Sequence, residues 1–285
     1  MRPAPFEYHA PATLDEAAAL LARYGEAASV LAGGQSLVPA MAARLARPSH
    51  VIDLNWTHGT RRPSVVAGRL AIPPLMRHED FATPVVDGPL GAILAELSRH
   101  IGSLSVRTRG TFCGAIANAD PASEWCLAAV VLGAEVTARS RNRGVRQIRA
   151  ERFFDTTMAT VLKDDELVSA VQIPLLAGNT RHGFAKLGPN AADYGAATAL
   201  AVFRQHSAIM TDVRIGLGAV TDVPRRASLA EALLERRAPS LRLFRLAAEA
   251  AASQLLPRSD GDEAAAHRSD LARVAVRQAL EETLL

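Results

Sequence analysis

Residues 31–54, LAGGQSLVPAMAARLARPSHVIDL, decide how the chain is to be read. Ser29 to Ala32 is short and apolar and runs into two glycines, which predicts a buried strand ending at a turn. Leu37 to Leu45 then reads as a helix and His50 to Leu54 as a second strand. Gly33 to Ser36 is left as a glycine loop between strand and helix. With no Cβ in the way, such a loop lets backbone amides approach an anion closely, phosphate being the obvious one. An ordinary strand-to-helix turn satisfies the same pattern. The loop is neither a GxGxxG fingerprint nor a Walker loop, and GQSLV lacks the closing glycine of a hydrolase elbow.

Upstream, Thr13-Leu14-Asp15-Glu16 is a capping-box pattern, so a helix with Leu14, Ala17, Leu20 and Leu21 on one face is expected to run to Gly25. Downstream, Val65-Val66-Ala67 and Leu70-Ala71-Ile72 flank Gly68-Arg69 as a hairpin, and a helix is expected over Gly91–Arg99. Strands are expected at Ala134–Ala138 and Leu167–Ile173, on either side of an arginine-rich turn. Pro174 to Thr180 reads as a linker. Gly183–Leu187, Gly195–Arg204 and Ser207–Val220 alternate as antiparallel strands, and the rest is helical. The class is α+β in three pieces, residues 1–56, 57–176 and 177–285, without an internal repeat.

A second small-residue stretch, RGTFCGAIANADPASEW at 109–125, has the character of the first. Gly110, Thr111, Gly114, Ala115 and Ala117 read as a loop, followed by Asn118, Asp120, Ser123 and Glu124. Two such loops could grip one pyrophosphate, with a later acid on a ribose hydroxyl, and a dinucleotide fits that need. Other chemistry is scarce. No two of the 8 histidines are three or four residues apart, so a helical zinc site has no support and no metal ligand set is expected. Asp164-Asp165-Glu166 reads as a solvated turn. Lys186, within Gly183-Phe184-Ala185-Lys186-Leu187, either snorkels to water or is held by a charged cofactor.

The chain has 285 residues, 49% of them hydrophobic, enough for two or three packed units. Net charge is +3, from 32 basic against 29 acidic residues, too mild to argue for nucleic acid. The dense basic run RSRNRGVRQIRAER, residues 139–152, suits a solvated hairpin face or a docking patch for an acidic partner. Cys113 and Cys126 cannot build a disulfide framework, so a reducing, cytoplasmic home is expected. MRPAPFEYHAP is unlike a signal peptide, and no stretch approaches the roughly 18 apolar residues of a membrane span.

FEYHAP, the 31–54 stretch, RGTFCGAIANADPASEW, ELVSAVQIP and the FAKL…ADYGAA segment, in that order and spacing, resemble the FAD-binding medium subunit of molybdenum hydroxylases. That group includes the carbon monoxide dehydrogenase flavoprotein and the flavin domain of xanthine dehydrogenase. The resemblance runs to the SDGD…HR segment at 259–268. It implies a vanillyl-alcohol-oxidase or PCMH-type FAD-binding fold, with two N-terminal α+β subdomains and a C-terminal domain of antiparallel strands plus helices. It implies FAD held by Ala32, Gly33, Gly34, Gln35, Ser36 and Leu37 of the first loop and by Thr111, Phe112, Cys113, Gly114 and Ala115 of the second. Glu124, Leu167, Lys186 and Asp120 are further implied contacts, and Ile101 and Tyr194 neighbours of the isoalloxazine. The implied partners are a large molybdopterin-binding subunit and a small [2Fe-2S] subunit, because this chain has neither the cysteines for a cluster nor a molybdopterin site.

The sequence also departs from the family's pattern. Ile72-Pro73-Pro74-Leu75-Met76 stands where IGAMT is usual, and proline removes an amide donor. Cys113 replaces a glycine and Ala115 an Asn or Ser. Pro189-Asn190-Ala191 lacks a frequent arginine. These changes leave a second expectation open, a diverged stand-alone flavoprotein, or a cofactor-poor homologue, catalysing a redox or ring-forming step in a biosynthetic pathway.

Overall fold

A computed structural model describes residues 2–59, 61–188, 194–254 and 262–284. The chain opens with β1 (Glu7–His9), α1 (Leu14–Tyr24), β2 (Ala28–Leu31), α2 (Leu37–Ala42) and β3 (His50–Asp53). The strands form a parallel sheet in the order β1-β3-β2. Thr13 caps α1 as expected, its Oγ1 accepting from the Glu16 amide at 3.1 Å, while Glu16 accepts from the Ala12 amide at 2.8 Å. Ala17, Ala18 and Leu21 of α1 then pack on Ile52 and Leu54. α2 stops three residues before the expected Leu45. Arg44 turns left-handed with φ 60°, and the amides of Leu45 and Ala46 fold back onto the Ala40 carbonyl, closing the helix.

Next come β4 (Ser64–Val66), β5 (Arg69–Ile72), α3 (Pro89–Arg99), α4 (Leu104–Arg107), α5 (Phe112–Asn118), α6 (Glu124–Val131), β6 (Glu135–Ser140), β7 (Gly144–Arg149) and β8 (Glu166–Pro174). Their strands make an antiparallel sheet ordered β4-β5-β8-β6-β7. Ala67 and Gly68 both take positive φ, the turn that a two-residue hairpin needs. The 111–118 segment is helix α5 and not the loop expected: Thr111 caps it, and its alanines favour a helix once a cap is present. α6 carries no amphipathic signal because it is buried all round, Trp125 to Val131 lying in the core shared by the second and third sheets.

The third sheet is antiparallel, β12-β11-β10-β9, from β9 (Thr180–Leu187), β10 (Ala197–His206), β11 (Ile209–Gly218) and β12 (Arg225–Arg226). α7 (Ser228–Leu234), α8 (Leu241–Ser253) and α9 (Asp262–Glu282) cover one face, and α6 packs against β10 and β11. α9 presses on β9 so closely that a Cβ on Gly183 would lie 2.1 Å from the Ala279 carbonyl. Pro174 and Thr180 belong to β8 and β9, so the linker is shorter than expected. Pro189-Asn190-Ala191 and the 259–261 part of SDGD lie outside the described residues. Among the described residues no helix is long and apolar enough to cross a membrane.

The β6–β7 arginines are not a bare basic face. Arg139 pairs with Asp15 at 2.6 Å, Arg143 with Asp165, and Arg146 with Glu166 at 2.7 Å.

Candidate functional site

β2 ends where the first glycine turn begins, and Asn55, just past β3, ties the two together by donating to the Ala32 carbonyl at 2.7 Å. Gly33 is then pressed against the segment ahead of α5. A Cβ there would lie 2.4 Å from the Arg109 carbonyl oxygen and 2.6 Å from Gly110 Cα, so the two turns meet backbone to backbone. Gly34 follows with φ +72°. The amides of Gly34, Gln35, Ser36 and Leu37 make no hydrogen bond to another group among the described residues. They are four donors in a row, set where chain direction reverses.

The second turn is held from behind by residues that follow the Pro73-Pro74 bend. The His78 amide donates to the Gly110 carbonyl, and the Phe112 amide to the Met76 carbonyl, both at 3.0 Å. Thr111 Oγ1 accepts from the Gly114 amide at 3.0 Å. The His78 side chain is buried and accepts from Trp125 Nε1 at 2.9 Å. Burial, then the charges of Arg77 and Arg107, pull its pKa down to about 4, so the imidazole is neutral. Sequence reasoning missed His78, and its place four residues beyond Pro74 was the available signal.

Cys113 is buried, with Sγ 3.5 Å from the carbonyls of Ile72 and Pro73. Burial pushes its thiol far above the ordinary cysteine range, only partly opposed by the Val171 amide. It donates weakly to the Pro73-Pro74 bend, so two of the sequence's departures touch each other. Cys126 is likewise buried, pushed up to about 12.

Between the first two sheets lies a cavity of about 620 Å³. Its wall carries Ala32, Gly33, Gly34, Gln35, Ser36 and Leu37 from the first turn and Thr111, Cys113, Gly114 and Ala115 from the second. Ile101, Asp120, Glu124, Leu167 and Tyr194 of the expected set also lie on that wall, with Pro74 of the departing IPPLM segment, while His78 and Lys163 join it unforeseen. Phe112 and Lys186 do not reach it. The Phe112 ring is fully buried against Phe81 and Trp125, with centroids 5.6 and 4.8 Å away.

Lys186 neither snorkels nor faces the cavity directly. Its ammonium donates to Glu124 Oε1 at 2.8 Å and to the His100 carbonyl at 2.7 Å, and the two side chains are only 5% and 8% exposed. Burial raises the Glu124 carboxyl pKa, opposed chiefly by the Lys186 charge. Tyr194 is exposed; desolvation and then the Asp120 and Glu124 charges raise its phenol pKa. The Asp164-Asp165-Glu166 turn is not merely solvated. Glu166 is buried and accepts twice from Arg146, at 2.7 Å each, and from the Lys163 amide at 2.8 Å. Burial works against its charged form, but those donors hold Glu166 below the usual carboxylate range. Lys163 and Asp164 are thereby fixed at the cavity wall.

Comparison with known proteins agrees with this architecture along the whole chain. The family described as FAD binding domain in molybdopterin dehydrogenase matches residues 4–176, and that described as CO dehydrogenase flavoprotein C-terminal domain matches 184–283. The nicotine 6-hydroxylase medium subunit of Paenarthrobacter nicotinovorans is 33% identical over 279 residues, covering 96% of each chain. The carbon monoxide dehydrogenase medium chain of Hydrogenophaga pseudoflava is 31% identical over 285 residues, covering 98% of this chain and 97% of that one. A solved structure of carbon monoxide dehydrogenase from Hydrogenophaga pseudoflava superposes with a TM-score of 0.93 at 33% identity, covering 100% of this chain and 99% of the other.

Proposed function

The chain belongs to the FAD-binding medium subunits of the molybdenum hydroxylases, and on that premise we propose that the cavity between its first two sheets holds FAD as the exit relay of a three-subunit dehydrogenase. One observation carries the placement. Four consecutive unpartnered amides, Gly34 to Leu37, border a cavity whose wall also includes the capped start of α5. Small residues at both turns leave room for an anion at the backbone, so the donor set fits the pyrophosphate of a dinucleotide. FAD, when bound, supplies reversible electron transfer that no side chain here could provide.

The remaining residues bind and orient. Ala32 to Leu37 and Thr111 to Ala115 hold the diphosphate region, Phe112 acting through its buried ring, which fixes the turn. Asp120 and Glu124 offer acceptors for ribityl or ribose hydroxyls. Lys186 acts as a positioning residue, aiming Glu124 through a 2.8 Å hydrogen bond and opposing the burial that raises its carboxyl pKa. Leu167 supplies apolar contact, and Ile101 and Tyr194 border the isoalloxazine. The division at 1–56, 57–176 and 177–285 belongs to the same proposal, supported by one sheet falling within each piece.

Electrons reach this chain from outside it. An iron-sulfur cluster takes four cysteine ligands, and the sequence has two cysteines, both buried. A small [2Fe-2S] subunit and a large molybdopterin-binding subunit are therefore the partners, in keeping with relatives described as medium subunits. The two unpaired thiols support a cytoplasmic location. The stand-alone reading is not favoured, since the likeness to medium subunits covers essentially the whole chain.

The test is to purify the chain and record its visible spectrum before and after incubation with FAD. A flavin band that survives desalting is expected. A colourless protein that takes up no FAD would overturn the placement.

A further inference from the structure

We infer that the N-terminal sheet carries a zinc-binding site, formed by Glu7 and His9 on β1 and His50 on β3. β1 and β3 pair in parallel with Glu7 opposite His50, and His9 lies two residues on, so all three side chains share one face. His9 Nε2 is 3.1 Å from His50 Nδ1, and His50 Nδ1 is 3.5 Å from Glu7 Oε2. The three ligand atoms lie within 4.8 Å of one another. Zn–N and Zn–O bonds of roughly 2.0–2.2 Å in a tetrahedron separate neighbouring ligand atoms by about 3.3–3.5 Å. The 3.5 Å edge has that length, and the 3.1 Å edge needs only a few tenths of an ångström of opening.

The donors are also pre-positioned. The Tyr24 ring, at the end of α1, stacks on His50 with centroids 3.7 Å apart and 14° between planes, and on His9 at 5.1 Å. Imidazoles clamped by stacking lose little freedom when an ion binds between them, His9 through Nε2 and His50 through Nδ1, each neutral ring then carrying its single proton on the nitrogen that faces away. Glu7 is largely exposed, its side chain 72% accessible, which leaves a fourth position for water and a path of entry. Two imidazoles and a carboxylate suit a borderline-soft divalent ion such as Zn²⁺ better than Mg²⁺ or Ca²⁺, which prefer all-oxygen sets. Arg23 is the nearby cation, its guanidinium carbon 5.2 Å from the Tyr24 ring centre.

The site is separate from the cavity. None of Glu7, His9, His50 and Tyr24 lines it, and His50 opens β3, whereas the glycine turn follows the far end of the neighbouring β2. Its consequence is mechanical: an ion there fastens edge strand β1 to central strand β3.

The experiment uses tag-free full chain, with FAD present, titrated with ZnCl₂ against a chromogenic chelator, with total zinc measured after gel filtration. One Zn²⁺ per chain is expected, together with a higher thermal midpoint. His9→Gln and His50→Gln should each weaken binding at least tenfold, and Glu7→Gln, at an exposed position, should weaken it less while leaving the fold intact. His206→Gln serves as the control and should bind as the parent does. No zinc retained by the parent, or retention undiminished in all three variants, would overturn the site. Flavin absorbance is read in every sample, so a loss of FAD without a loss of zinc, or the reverse, separates this inference from the placement of the cofactor.

Discussion

Acid should loosen the cavity wall through His78 before it unfolds the rest of the molecule. The imidazole is buried and neutral, with a pKa of about 4 against an ordinary 6.5. A depressed histidine pKa means that the unfolded chain takes up a proton first. Its contribution is therefore fully present above about pH 6.5 and is lost progressively as pH falls towards 4. A drop from 6.5 to about 4 corresponds to about 3 kcal/mol, a large fraction of the usual stability of a domain. Protonation would place a cation beside Arg77 and Arg107 and turn the acceptor facing Trp125 Nε1 into a donor. His78→Asn keeps an acceptor near the Nδ1 position but cannot titrate. Urea unfolding at pH 7.5, 6.5, 5.5 and 4.5 (roughly spanning the window set by the two pKa values), followed by circular dichroism and flavin release, should show a steeper loss in the parent than in His78→Asn. The variant will be less stable throughout, because it is smaller, so the slope and not the intercept is diagnostic. Parallel curves would refute the reasoning.

Three other outcomes follow from the geometry. Gly33→Val should abolish FAD retention, read as flavin absorbance after desalting, because its Cβ would fall 2.4 Å from the Arg109 carbonyl and drive the two turns apart. Lys186→Met should cost on the order of 3–5 kcal/mol in chemical denaturation by leaving a buried carboxylate unpaired, and adding Glu124→Gln should recover part of it. Native protein should leave both thiols unmodified by a disulfide reagent such as dithionitrobenzoate at pH 8, and denatured protein should titrate two, given that burial raises both cysteine pKa values.

Local chemistry made part of the fold legible. Thr13 and Glu16 announced a helix start within four residues, and the strand-turn-helix of 29–45 lay in contiguous sequence with a glycine pair at its hinge. The resemblance of the 109–125 stretch then located the second half of the cavity wall. What stayed hidden depends on distance along the chain or on complete burial. α6 showed no periodicity because every side is covered. The partner of Lys186 lies 62 residues away, so a strand lysine could not be told from a snorkelling one. His9 and His50 are 41 residues apart and meet only because two strands pair, a spacing that a search at helical intervals passes over. α5 hid because Gly114 reads as loop, whereas its lack of a Cβ makes room for the capping oxygen, which a Cβ would approach to 2.6 Å.

The contact of Cys113 with the Ile72 and Pro73 carbonyls has a bearing on redesign. Anyone wishing to return the chain to the family's usual loop would be drawn to Cys113→Gly first, the smallest edit. That edit alone removes the sulfur that fills the space under the Pro73-Pro74 bend, and swapping the prolines alone presents a new backbone to a side chain shaped for the old one. Because the two positions touch, their exchanges are expected to be non-additive, and a double-mutant cycle pairing Cys113→Gly with exchange of the prolines measures that coupling.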